Sequence, residues 1–495
     1  MRKIYDFQSS LDRIPLEEID LYPNSRDDTV AYLAGFRAIL LDVETREALF
    51  ALLRTFFPLD PRTNRGRPGM DLLVIVLLAG LKQATNCDYD RLTLWANDLA
   101  VLRQMMGHGS EDPKRYSRQC IHDNVSKCSV ELLEQINRLI VKLGHKTVGQ
   151  TGGTLKCRCD SKVAKTNVHY PTDLNLLWDA SRLLMRVCVQ WSVVFGFPGW
   201  RQYKSLSKKL YKAFQLSRKG RKSSYKDEQV RTYLARSAKI CQKARCILGW
   251  LEQMSGEILA RQHAGTRLEE DAQRLEQLTT ATQEISLYID HVEVFSDQID
   301  RRILQGEPIP HHEKIFSVFK PFTRWIVKGK AGILQELGVP VAVMEDEHQL
   351  VLGHGILWDG TDKDIAIELV KQVQEHFPEF TFTCSFDMSF YSPDVRDELD
   401  TMLEVTAMSR KGYLNQAERT RQSSSEYQTA RKGHSGVESC MNHLNHRRMD
   451  VVREVSPDAF ARAVALSVLG ANIHRLGRIV RARERERRQR LRSAA

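Results

Sequence analysis

Three carboxylates stand where the local pattern gives them a task in common. Asp160 follows the alternating run Leu155-Lys156-Cys157-Arg158-Cys159, which sets Leu155, Cys157 and Cys159 on one face of a strand and Asp160 on the other. Asp387 closes a second alternating run, Phe380 to Phe386, on its polar face and at its C-terminal end. Glu438 lies in a helical stretch, His434 to Arg447, where Glu438, Asn442 and Asn445 form a polar stripe beside Val437, Met441 and Leu444. Two strand-borne Asp and one helix-borne Glu can converge over a sheet edge and hold two hard cations roughly 3.5–4 Å apart. Oxygen ligands suit Mg²⁺, with Mn²⁺ as a substitute. Such a pair serves in-line attack on a phosphodiester: one ion lowers the pKa of the attacking water or 3′-hydroxyl, the other stabilises the leaving oxygen. Taken singly, each acid reads first as a cap or a salt-bridge partner, since the chain has 62 Asp and Glu.

The elements that must position these acids follow from periodicity. Residues 1–148 read as helical: a buried helix over Met70–Ala84, a second from Asp88 to about Met106, a third from Arg115 to Lys127, and a last one capped by Ser129 and stopping at Gly144. A helix-turn-helix with Arg115, Arg118 or Lys127 facing DNA, or a helical bundle for subunit contact, fits this block equally. From Tyr225 to about Leu304 the chain is again helical. Leu275, Leu278, Thr282, Ile285, Ile289, Val292, Ser296, Ile299 and Ile303 make a heptad seam there, on a helix from Thr266 to Leu304 that pairs with Tyr225–Met254 or with a second subunit. After Gly306 the pattern turns to α/β. A hairpin over Val339–Glu345 and Gln349–Trp358 turns at Asp346-Glu347-His348, and Thr361 caps a helix ended by Pro378. The fold class is α/β, a mixed sheet flanked by helices.

Charge narrows the partner. The 495 residues carry 73 Lys+Arg against 62 Asp+Glu, a net +11. Between Arg201 and Arg245 stand 15 Lys+Arg against Asp227 and Glu228, a local +13 that exceeds the whole-chain sum. Lys204, Lys208, Lys209, Lys212, Arg218, Lys219, Arg221 and Lys222 are its centre, interleaved with Trp200, Tyr203, Tyr211, Phe214, Tyr225 and Tyr233. A second cluster, His474 to Ala495, has nine Arg against Glu484 and Glu486. Concentrated cations attract polyanions by releasing condensed counterions, which makes nucleic acid the first candidate; a solvated helix face is the alternative. Trp178 and Trp200 read as packing residues rather than base-stacking platforms. The longest apolar run, Leu72 to Leu81, is too short to cross a bilayer, and the first residues lack a signal-peptide core. Ten scattered cysteines fit reduced thiols in a cytosolic compartment. Cys157 and Cys159 with Cys241 and Cys246 lack zinc-knuckle spacing and read as buried thiols.

Several motifs in one order add a family reading. They are Asp160-Ser161-Lys162-Val163, Thr166-Asn167-Val168-His169-Tyr170-Pro171-Thr172-Asp173, Arg301-Arg302 with Gly306-Glu307-Pro308-Ile309-Pro310-His311, and Glu313-Lys314-Ile315-Phe316-Ser317. Lys328-Gly329-Lys330-Ala331-Gly332, Ser385-Phe386-Asp387, Arg410-Lys411-Gly412 and His434-Ser435-Gly436-Val437-Glu438-Ser439 with Asn442 complete the set. With these the chain resembles the DDE transposases of bacterial insertion sequences, ISNCY group, over nearly its full length. The resemblance implies an RNase H-like catalytic core with its triad on Asp160, Asp387 and Glu438, two Mg²⁺ ions, and cutting and joining at terminal inverted repeats. It implies a DNA-binding region over 1–148, core segments at 149–173 and 306–472, a basic helical insertion at 174–305 and a basic tail at 473–495. Lys328, Lys330 and Lys411 are then contacts to the DNA backbone or solvated lysines, His434 orients Glu438 or touches DNA, and Asn167, His169 and Asp173 support the site. The expected partners are double-stranded DNA, as element ends and target, and further copies of the chain, as a dimer or higher oligomer. No membrane is expected, and the location is the cytoplasm, at the nucleoid. Met388 and Ser389 replace the family's usual basic residue and glycine. Two rival readings are a non-cutting, transposase-derived DNA-binding regulator and an RNase H-like nuclease without strand joining.

Overall fold

Short polar side chains start the N-terminal helices. In this computed structural model, which describes residues 4, 13–57, 69–219, 223–264, 269–330, 333–410 and 412–493, α1 (Asp28–Leu41) begins at Asp27 and α2 (Val43–Phe56) at Asp42. After α3 (Leu72–Ala84), α4 (Tyr89–Asp98) begins at Asp88. Beyond α5 (Ala100–Met105), α6 (Arg118–Val125) begins at Ser117 and α7 (Val130–Val148) at Ser129. Each of those five caps accepts a first-turn backbone N–H, worth about 1 kcal/mol. Two expectations change. The helix expected from Asp88 to Met106 is broken at Leu99, whose backbone is extended (φ −81°, ψ 103°); beside the break the Asn97 side chain donates to the Tyr116 carbonyl at 2.9 Å and accepts from the Tyr116 N–H at 2.8 Å. Gly144 does not stop α7. It lies within the helix, where a Cβ would meet Leu350 Cδ1 at 2.6 Å, and the left-handed Gly149 (φ +81°) ends the helix instead.

The chain divides into two compact units, Met1–Asn167 with Arg324–Ala495, and Val168–Thr323. Among its described residues the second unit has α8 (Asp173–Phe195), α9 (Tyr203–Lys219), α10 (Ser223–His263) and α11 (Glu269–Ile299). The seam faces inward, with Leu278, Ile285, Val292 and Ile299 buried against α8 and α10. The last turn expected of that helix is a π turn, Asp300–Leu304. Trp178 stacks on Phe214 with centroids 5.8 Å apart, and Trp200 is buried, so both serve packing.

The first unit carries the sheet: β1 (Gly153–Thr166), β2 (Arg324–Lys330), β3 (Ile333–Asp346), β4 (Val351–Ile356), β5 (Phe380–Phe386), β6 (Val405–Met408) and β7 (Val451–Val452). β1 is central, antiparallel to β3 on one side and parallel to β5 and β7 on the other; β6 extends β5 in parallel, and β2 and β4 share the far edge of β3. The result is a mixed, open sheet flanked by helices. These include α12 (Asp362–His376), whose Asp364 reaches back to the Thr361 N–H at 2.7 Å, and α13 (Pro393–Met402). α14 (Gln416–Ser423), α15 (Ser425–Gly433) and α16 (Val437–Leu444) follow. The helix expected over His434–Arg447 is shorter: α16 follows a 3-10 turn and gives way to a π turn in which Arg448 is left-handed, φ +71°. α17 (Pro457–Ser493) runs unbroken through the boundary expected at residue 473, with Leu466, Leu469, Ile473 and Leu476 in the same core as α1, α3 and α7. Two arginines of the expected basic tail are therefore structural: Arg475 donates to the His348 carbonyl at 2.7 Å and Arg481 to that of Ser25 at 2.6 Å. No helix among the described residues is long and apolar enough to cross a membrane.

α1 and α17 cross at two glycines. A Cβ on Gly477 would sit 1.8 Å from the Ala31 carbonyl oxygen, and one on Gly35 would sit 2.0 Å from that of Ile473. Both neighbours are helix backbone and cannot swing away, so even one methyl must push the helices apart. Gly477→Ala is expected to cost about 3 kcal/mol in urea denaturation of the first unit. Gly249→Ala, inside α10 with open space around it, is expected to add up to about 1 kcal/mol.

Candidate active site

Strand parity decides which residues share a face. On β1, Leu155, Cys157 and Cys159 enter the core under the sheet, so Arg158 and Asp160 stand on the other side. On β5, Phe380, Phe382, Cys384 and Phe386 enter the same core, leaving Ser385 and, one residue past the strand, Asp387 opposite. Cys159 pairs with Phe386 in parallel register. Asp160 and Asp387 are thus the next neighbours on adjacent strands, whose axes lie roughly 4.8 Å apart. The same parity puts Glu345 of β3 opposite Arg158 and Val343 opposite Asp160.

α16 packs against β1, and the chain entering it is anchored from below. Arg158 Nε donates to Glu345 Oε2 at 2.6 Å, with side chains 14% and 3% exposed, and Arg158 Nη1 donates to the Gly433 carbonyl at 3.3 Å. The turn before α16 closes over that guanidinium because residue 436 is glycine: a Cβ there would lie 2.1 Å from Arg158 Nη1. Burial pushes the Glu345 carboxyl up, while Arg158 and a hydrogen bond from the Cys440 thiol pull it down. Arg431 donates to the Phe386 carbonyl at 3.1 Å, and His434 Nδ1 meets Ser385 Oγ at 3.1 Å. Burial lowers the His434 imidazole, with Arg431 acting the same way and the Asp387 charge opposing. His434 therefore sits within electrostatic reach of Asp387.

The three acids differ in their setting. Asp160 is half-buried and accepts the Ser161 N–H at 2.7 Å. Asp387 is half-buried and opens the 3-10 turn Met388–Phe390. Glu438 is exposed on the first turn of α16, at the flank of its buried stripe Val437, Cys440, Met441 and Leu444. The fold brings Asp160 and Asp387 together and carries the helix of Glu438 alongside. Among the described residues, no three His, Cys, Asp or Glu side chains stand as a metal-holding group. Solvent reaches all three acids, and their all-oxygen donor set is the kind that Mg²⁺ takes.

The expected DNA-binding residues divide by environment. Lys204, Lys208, Lys209, Lys212, Arg218 and Lys219 are exposed on α9, whose Leu210, Ala213, Phe214 and Ser217 are buried. None of the six has an ion-pair partner among the described residues; Arg218 lies 5.3 Å from the Phe214 ring. Arg221, Lys222 and Lys411 lie outside the described residues. Lys328 and Lys330 are in β2, with their side chains outside that description. In the N-terminal block, Arg115 pairs with Asp98 at 2.9 Å and Arg118 with Asp90 at 3.0 Å, so two cations expected to face DNA are locally neutralised. Of the motif residues, Asn167 donates its N–H to the Val452 carbonyl at 3.4 Å. His169 pairs with Asp179 at 3.2 Å and Asp173 with Arg302 at 2.9 Å, both within the helical unit. Cys157 and Cys159 are buried thiols raised by burial. Sequence reasoning missed the Arg158–Glu345 pair; the signal was Arg158 sharing the parity of Asp160, but its partner is set by register. Comparison with protein-family models, with curated proteins and with solved structures finds no match to this chain.

Removing one member of a buried pair strands the other. Arg158→Met is expected to cost about 3–5 kcal/mol in urea denaturation, and Arg158→Met with Glu345→Leu to recover most of it. Equal losses in the single and double variants would show that the pair does not anchor α16.

Proposed function

We propose that the chain is a DDE transposase: it binds double-stranded DNA at the terminal inverted repeats of an insertion sequence, cuts a phosphodiester at each end and joins the freed 3′-hydroxyl to target DNA. The observation that carries this reading is the placing of Asp160 and Asp387 side by side on one sheet face, with Glu438 on the helix laid over the same strand. A mixed sheet with helices on its faces supports an RNase H-like core, and the ordered motifs from Asp160 to Glu438 support the family.

Asp160, Asp387 and Glu438 would hold two Mg²⁺ ions. When bound there, the ions supply a lowered pKa at the attacking oxygen and charge neutralisation at the leaving one. The chain's own residues supply position. Arg158 and Glu345 fix the turn that presents Glu438, and Ser385 and Arg431 tie His434 and its neighbours to the end of β5, where Asp387 stands. Met388, partly exposed beside Asp387, offers a phosphate no charge. Holding DNA falls to the cations of α9, which have no ion-pair partner among the described residues and of which Lys204, Lys208 and Lys212 repeat every four residues along the side away from Leu210 and Phe214. Pairing two ends calls for at least two copies of the chain.

Two measurements test this. Labelled DNA carrying the element's own termini, incubated with Mg²⁺, is expected to be cut by the wild type. Asp387→Asn is expected to bind that DNA equally and to cut it more than roughly 100-fold more slowly, beyond what changes outside a ligand shell cost. A wild type that binds the ends and never cuts, with Mn²⁺ also tried, moves the regulator reading to the front.

The second measurement is a salt titration of DNA binding. Reversing Lys204, Lys208 and Lys212 to Glu should weaken binding and flatten the slope of log K against log salt by roughly 0.9 for each phosphate no longer neutralised. An unchanged slope would remove α9 from the DNA path.

A further inference from the structure

Away from the acidic site, the first unit holds a cavity of about 420 Å³ between α3, α6 and the start of α17. Its floor is Lys82, on a helix whose residues are all buried. The side chain is unusual for its charge. Lys82 is 6% exposed, lines the cavity, and has no hydrogen-bond or ion-pair partner among the described residues; its Nζ stands over the Tyr89 ring, 4.8 Å from the centroid. Burying an ammonium without a partner costs several kcal/mol, which a sequence normally avoids by pairing the ion or replacing it. Burial lowers this amine to about 8; Arg448 adds to the lowering, and Glu454, Cys87 and Asp88 oppose it.

The walls say what would complete it. Arg462 donates one guanidinium nitrogen to the Ser126 carbonyl at 2.8 Å and also lines the cavity. Arg453 is exposed at the lining and makes no ion pair among the described residues. Three cations thus face the space against one carboxylate, Glu454. The rest of the lining is mixed: Gln83, His122 and Ser126 are polar, Val125 and Leu466 are apolar, and Tyr89 presents a ring. A volume of this size takes a drug- or nucleotide-sized molecule.

We propose that this cavity binds a small organic anion, with a phosphate or carboxylate group seated on Lys82 and Arg462 and a flat apolar body lying against Tyr89 and Leu466. The anion supplies the partner that the fold withholds from Lys82. This site stands independently of the transposase reading, since it shares no residue with the acidic face.

The test is calorimetric titration of the full chain with phenyl phosphate and with benzoate. Inorganic phosphate and benzyl alcohol serve as probes that each carry only half of the recognised chemistry. At least one of the two aromatic anions is expected to bind tenfold or more tighter than either half-probe. Lys82→Met is expected to weaken that binding roughly 10- to 100-fold, the loss of one buried charge-assisted hydrogen bond, while the melting temperature stays level or rises because an unpaired charge has gone. A second readout covers the case in which that variant misfolds. Acetic anhydride transfers an acetyl group to the free Lys82 amine, releasing acetate and a proton, and mass spectrometry should show that the bound anion protects Lys82 selectively. The proposal is overturned if neither anion outbinds the half-probes, or if binding leaves Lys82 acetylation unchanged.

Discussion

The structure of the first unit depends on β1 pairing along both edges and packing on both faces. One edge pairs antiparallel with β3, the other parallel with β5 and, at its far end, β7. One face enters the core of aromatic and sulfur side chains under the sheet; the other carries Arg158 and Asp160 beneath α16. A one-residue slip of β1 would bury Arg158 and Asp160 among Phe382, Cys384 and Phe386 and expose Cys157 and Cys159. The acids on this strand are therefore placed by the same alternation that fills the core, and the site needs no separate device to orient Asp160 and Asp387 to one side.

Buried charge is the second constraint, and the chain handles it in three ways. Arg158 and Glu345 meet directly, which makes the site face rigid at the point where α16 arrives. Where α1, α16 and α17 meet, burial lowers the His443 and His474 rings instead. Burial holds His443 down to about 3, and Arg447 is lowered to about 10 by its own burial. The His474 hydrogen bond at 2.9 Å keeps the Asp28 carboxyl below its usual range. Lys82 follows neither course: it is buried and has no partner among the described residues, with a cavity in front of it. That contrast within one unit makes Lys82 read as an incomplete site rather than as packing.

Much of this was legible in the sequence where a pattern is local. The alternation around Asp160 and Asp387, the Ser129 and Thr361 caps and the heptad seam of α11 all depend on neighbours within a few residues. What failed depended on residues distant in the chain. The break at Leu99 lies beside the contact of Asn97 with Tyr116, and Gly144 is a packing glycine because Leu350 lies against it. The C-terminal arginines looked like one basic tail, yet the helix bearing them returns to the N-terminal core, and Arg475 and Arg481 cap backbone carbonyls there. For the candidate site, side and neighbour could be read for the two aspartates. The Arg158–Glu345 anchor could not, because register between β1 and β3 spans 187 residues.

The two cation-bearing helical regions also part company on pairing, which bears on where the proposed DNA path lies. A cation already paired with a carboxylate has less to gain from a phosphate, since the existing pair must first break, whereas an unpaired exposed cation releases counterions at no such cost. Arg115 and Arg118, the natural candidates for a groove-reading helix, are held by Asp98 and Asp90, and α6 and α7 sit in one apolar core with α3 and α17. The cations of α9 carry no such partners among the described residues, and their helix turns its apolar side inward through Leu210, Ala213 and Phe214. Under the transposase reading, the sequence-independent grip on the backbone then belongs to α9, and the N-terminal helices contribute first as scaffold, with any base reading left to side chains other than those two arginines.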